Sequence, residues 1–151
     1  AAVLLAALCS CATSGNLGAM EAHQAMSLAS RALGGSRDLV LVMIPSRGAE
    51  ADAAYMDMAR TNGPTAMASQ VADYFSAAVI GPRAYALVGR NSAKTAQVLC
   101  DALALNRGRD LSKLQVVFLG SQEHVAATEE AGRGAGARVV GVVYPPAPES
   151  P

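Results

Sequence analysis

Three short polar segments each follow an apolar run: Pro45-Ser46-Arg47-Gly48, Gly89-Arg90-Asn91-Ser92 and Gly120-Ser121-Gln122-Glu123-His124. If those runs are parallel strands, the three turns share the carboxyl edge of one sheet, where α/β proteins hold their ligands. Ser46, Arg47, Arg90, Asn91, Ser92 and Ser121 would then bring two guanidinium groups, several hydroxyls and two helix N-termini together. That combination suits a small anion. A plainer reading is available for the same residues. Asn91, Ser92 and Ser121 are common helix N-caps, and a strand-ending glycine makes a tight turn. The plainer reading is preferred, with the small-anion edge as the alternative.

More specific chemistries fail on spacing. Gly89-Arg90-Asn91-Ser92-Ala93-Lys94-Thr95 has three residues and then Ala93 where a P-loop needs four residues and a second glycine. Gly132-Arg133-Gly134-Ala135-Gly136 follows a helix and precedes a strand, the reverse of a dinucleotide fingerprint. For a metal there are only His23 and His124, and Glu123, His124, Glu129 and Glu130 read as a solvated helix surface. No Gly-x-Ser-x-Gly elbow exists for a serine hydrolase, and Ser14-Gly15-Asn16-Leu17 is not the Gly-Asp-Ser block of a lipase. No catalytic residue, metal ligand or cofactor is assigned.

The elements that must position these turns alternate. Residues 19–33 form an amphipathic helix with Met26, Ala29, Ala32 and Leu33 on one face, ended by Gly34-Gly35. Leu39 to Ile44 is a continuous apolar run, the pattern of a strand covered on both faces. Residues 45–64 read as largely irregular, with a short helix around 50–60, and close on Asn62-Gly63-Pro64. Val71, Tyr74, Phe75, Ala78 and Val79 make the best helical stripe in the chain. Then come a strand at 84–88, a helix at 92–106, a strand at 114–119, a helix at 121–131 with a glycine-rich exit, and a strand at 138–144. Segments 84–108 and 114–136 look like two copies of one strand–turn–helix unit. Such alternation implies α/β architecture: a three-layer Rossmann-like or flavodoxin-like sandwich with a small, mostly parallel sheet of about four strands. Cys100 is expected in the core beside Leu99 and Leu103.

The N-terminus reads differently. Ala1 to Leu8 is apolar and runs into Cys9-Ser10-Cys11. Eight residues are too few to span a bilayer, which needs about 20, but suit the apolar core of a secretory signal. Leu8-Cys9-Ser10-Cys11 resembles the bacterial lipoprotein signal: Leu three places before the acceptor, a small residue just before it, then the cysteine. Cys9 in the second place is unusual for that pattern. The chain does not open on Met, so a basic segment is expected upstream of Ala1. The resemblance implies a signal remnant at 1–10, acylation of Cys11, and a membrane anchor. Ala12 follows Cys11 in place of the Asp associated with inner-membrane retention, which implies the outer membrane, facing the periplasm. Residues 11–18 would be a flexible tether, 19–145 a single domain and 146–151 a proline-rich tail.

Composition narrows the function. The chain has 151 residues, enough for one domain that buries about two-thirds of its unfolded surface. Hydrophobic residues make up 52% and charged residues 16%, too apolar for a disordered chain. Twelve basic residues balance twelve acidic ones and there is no Trp, so nucleic acid is not an expected partner. The expectation is an envelope lipoprotein acting as a structural or docking part of a secretion, conjugation or pilus assembly, with protein partners. A small-anion or metabolite binder is second, and an envelope hydrolase third.

Overall fold

The computed structural model describes residues 17–36 and 38–145. The signal segment, Cys11 and the proline-rich tail lie outside those residues. Helix α1 (Ala19–Ala32) leads into strand β1 (Leu39–Ile44). Helices α2 (Ala49–Asn62) and α3 (Ala66–Ser76), with a short 3-10 turn, connect it to β2 (Arg83–Gly89). Helix α4 (Ser92–Leu105), β3 (Leu114–Gly120), α5 (Gln122–Ala135) and β4 (Arg138–Val143) complete the order. All four strands are parallel, in the spatial order β1-β2-β3-β4. The protein is thus the expected three-layer α/β sandwich.

Each crossover moves one strand in the same direction, so the connecting helices share one face. Val71 and Phe75 of α3, Val98 and Leu99 of α4, and Val125 of α5 pack with Tyr85, Leu87, Val116 and Phe118. Among the described residues helix α1 covers the other face, setting Ala25 and Ala29 against Ala86, Val88, Val117 and Leu119. Alanines on α1 let it approach the sheet closely. Strand order never reverses, so the sheet lacks the switch-point crevice where doubly wound folds bind ligands. Among the described residues, no helix is long and apolar enough to cross a membrane.

Several local expectations shift. Residues 49–62 form a full helix rather than a mostly irregular loop. Gly48 (φ 97°) and Gly63 (φ 83°) bracket it. It buries only Asp52, Met56 and Ala59, too thin a stripe to show as periodicity. Leu17, expected in the tether, packs against the α1-side core, and the Glu21 carboxylate accepts from the Gly18 N–H at 2.8 Å. Helix α5 continues through Gly132 and Gly134 and ends at left-handed Gly136. Gly132 is there for close approach: a Cβ on it would sit 2.4 Å from Val139. The same holds at Gly89 and Gly120, whose φ angles are ordinary. A Cβ on Gly89 would meet the Ile44 carbonyl at 2.6 Å, and one on Gly120 would meet Ser92 Oγ at 2.3 Å.

Candidate functional site

The three turns do converge. Ser46, Arg90, Asn91, Ser92 and Ser121 line one cleft of about 380 Å³ at the carboxyl edge, joined by Asp52, Glu123 and His124. Parallel register brings them together: Ile44 pairs with Gly89, and Gly120 lies two strands over, so all three strands end level. Arg47 is the exception. It is exposed and lines a separate groove against α2 with Tyr55 and Met58. The two arginines therefore do not flank one space.

The capping roles also differ in detail. Asn91 caps α4, its side chain accepting from the Lys94 N–H at 3.0 Å. Ser92 is the first helical residue, and its Oγ accepts from the Ser121 N–H at 2.6 Å, tying the second turn to the third. Ser121 occupies the cap position of α5 without a side-chain cap bond.

The cleft's positive charges are already engaged. Arg90 reaches across to Glu21 on α1, with Nη2 2.9 Å from Oε2 and Nη1 3.4 Å from Oε1. Its Nε is buried without a partner among the described residues. Beneath the cleft lies a buried ion pair. Lys94 Nζ donates to Asp52 Oδ1 at 2.9 Å and to the Pro45 carbonyl at 2.7 Å, and sits 4.7 Å from the centre of the Tyr55 ring. The two side chains are 5% and 1% exposed. The Ser46 hydroxyl, the Arg47 N–H and Asn91 Nδ2 also donate to Asp52. Burial works against the Asp52 charge, but the bonds from Ser46, Lys94 and Arg47 outweigh it and hold the carboxyl below the usual aspartate range. Both Asp52 oxygens and the Lys94 ammonium are engaged within this web. It locks the end of β1 and helix α2 to α4, which is what a buried charge pair needs to be tolerated.

Reactive chemistry is not assembled there. The Ser46 hydroxyl is bonded to a carboxylate and the residue is buried. His124 Nε2 lies 3.4 Å from Glu123 Oε1. Among the described residues, no three His, Cys, Asp or Glu side chains gather as a metal site. Cys100 is half-buried rather than in the core, in a small groove between α4 and α5 beside Leu103, Arg107 and Ala131. Burial, then the neighbouring Asp101, pushes its thiol up. Sequence reasoning missed Glu21, Asp52 and Lys94. Lys94 carried a readable signal, since a lysine on the inward face of α4 between Thr95 and Ala93 has to find a counter-charge.

A second feature lies at the side of the sheet. Continuous apolarity in β1 implied a strand covered on both faces, yet β1 is an edge. Leu39 and Ile44 are buried, while Val40 is 53% and Met43 37% exposed. Beside it runs an apolar groove of about 570 Å³, walled by Val40, Val42, Met67, Val71, Tyr74 and Tyr85. Tyr74 stands half-exposed over it, stacked on Tyr85 with ring centres 6.2 Å apart. The opposite edge is treated differently. Glu129 of α5 accepts from the Gly141 N–H of β4 at 3.0 Å, using a donor that the β3 ladder leaves free. Helix α5 comes that close because Gly141 has no Cβ, which would sit 2.4 Å from Val125.

No protein-family model matches the chain, and no curated protein or solved structure matches it either.

Proposed function

We propose that this protein is a docking module of a bacterial cell-envelope assembly, of the secretion, conjugation or pilus kind, anchored through an acylated Cys11. The observation that carries the docking reading is the β1 edge, left uncovered among the described residues, beside its groove. Leu39 to Ile44 offer a row of backbone donors and acceptors with no charge, proline or bulge to blunt it. An extended partner segment laid along such an edge gains main-chain hydrogen bonds and pockets for alternate side chains. The cleft supports the reading from the other side, because Glu21 and Asp52 already neutralise the cations that a ligand would use. The anchor rests on Leu8-Cys9-Ser10-Cys11 and on the polar stretch after it. From Cys11 to Gly18 the chain spans at most roughly 25 Å, so the domain would ride close to the bilayer.

One specific observation favours the small-anion alternative, the unpartnered Arg90 Nε beside two helix N-termini.

A photo-crosslinking residue at position 40 of the full chain, in bacterial cells, tests the main reading. An adduct of discrete mass is expected in the membrane fraction, with none from position 130 on the far side of the fold. Equal adducts from both positions would overturn the docking surface. Loss of membrane association in Cys11→Ala is expected, and its absence would overturn the anchor.

A further inference from the structure

We infer that the β1 edge is occupied by the β1 edge of a second copy of this chain, antiparallel, about a two-fold axis normal to the sheet. This rests on the reading of β1 as the docking edge and names its occupant.

Symmetry and charge carry the inference. An antiparallel pair related by such an axis must place opposite each other two residues on the same face of the sheet. Only even registers satisfy this. With Val42 on the axis, Val40 meets Ile44 and Leu41 meets Met43. With Leu41 on the axis, Val40 meets Val42 and Leu39 meets Met43. In either register apolar side chains meet apolar side chains, and no charge faces its own copy. Self-recognition usually fails because a charged edge repels itself, and this edge holds none between Leu39 and Ile44. The groove wall is equally neutral. Met67, Gln70 and Tyr74 face it, with Gln70 donating to the Tyr74 hydroxyl at 3.3 Å. In the pair, the two α3 helices flank the axis and exclude water from the new strand pair.

The edges also set the stoichiometry. On β4, Glu129 takes the Gly141 N–H and α5 packs close at that glycine, so among the described residues β1 is the more open edge. One self-complementary edge gives a closed pair, whereas two would give a filament. An axis normal to the sheet keeps both α1 layers on the same side.

The test is sedimentation of the full-length chain in density-matched detergent, with Val40→Lys and Val40→Thr beside it. A dimer mass at tens of micromolar is expected. Val40→Lys should weaken it at least tenfold, while Val40→Thr, β-branched and of the same size, should keep it. Folding of each variant is checked by circular dichroism. Should Val40→Lys not fold, disulfide mapping decides, in a chain with Cys9 and Cys100 replaced by serine. A cysteine at 41 or 42 should link to itself rapidly under mild oxidation, and one at exposed Met20 should not. A monomer at these concentrations, or a dimer untouched by Val40→Lys and unlinked at 41 and 42, overturns the proposal. The docking reading fails separately: a monomer that still yields a heavier foreign adduct from position 40 removes the second copy and leaves the edge as a docking site.

Discussion

The Glu129 carboxylate accepts the backbone N–H of Gly141 at 3.0 Å, so helix α5 occupies one outward donor of the β4 edge with its own side chain. Among the described residues, nothing comparable covers β1. The two edges of one sheet thus differ at that position, through a glutamate on the helix and a glycine on the strand.

Removing that carboxylate should cost stability and open a second edge. A hydrogen bond to a charged acceptor contributes about 1.5–3 kcal/mol, less at a partly exposed site. Glu129→Ala should therefore lower stability by about 1 kcal/mol and Tm by about 3–6 °C. It should also introduce association beyond the dimer, seen as concentration-dependent light scattering. An unchanged Tm with unchanged scattering would show that the bond protects nothing.

The Lys94–Asp52 pair should behave as one unit. Asp52→Ala leaves a buried ammonium without its counter-charge and should cost about 3–5 kcal/mol. Asp52→Leu with Lys94→Met should cost much less than the sum of the single changes, as chemical denaturation of the four chains would reveal.

The same pair sets an acid limit. The folded Asp52 carboxyl titrates below its ordinary value, so the native state binds fewer protons than the unfolded chain in that range. Its contribution is complete above the unfolded value of about 3.9 and is lost as pH falls through the depressed folded value. Unfolding free energy measured from pH 5 to pH 2 should fall less steeply in Asp52→Asn than in the natural chain. Equal slopes would mean that Asp52 does not govern this range.

For the carboxyl-edge cleft, no thermal shift is expected with phosphate or sulfate. An anion at a hundredfold its dissociation constant would add about 2.7 kcal/mol, roughly 5–10 °C for a domain of this size. Arg47→Ala should be neutral within about 0.5 kcal/mol, since the side chain is exposed. Arg90→Ala should cost up to about 1 kcal/mol, because it releases Glu21. A saturable shift abolished in Arg90→Ala would promote the anion reading over docking.

Cys100 gives a last check on helix placement. Half-buried between α4 and α5, with its thiol pushed up, it should react slowly with a thiol reagent at pH 7 and faster at higher pH, without denaturation. Complete protection until unfolding would place it in the core instead.

Sequence alone determined the period and the punctuation. Runs such as Leu114 to Leu119 and the stripe Val98, Leu99, Ala102, Leu103 are local patterns, and residues a few places apart carry all their information. They sufficed for the α/β class, most element boundaries and the meeting of the Ser46, Arg90 and Ser121 turns, because the parallel strands pair in a register that ends them level. Tertiary structure alone decided the rest. Whether Leu39 to Ile44 is a central or an edge strand depends on strand order, which neither apolarity nor length encodes. Whether Arg90 is free depends on Glu21, sixty-nine residues away and brought near only when α1 packs on the opposite face. Asp52 and Lys94 sit on separate helices, and their pairing exists only once α2 and α4 close over the end of β1. Contacts between distant segments follow from how layers stack, and a linear pattern has no term for the stacking.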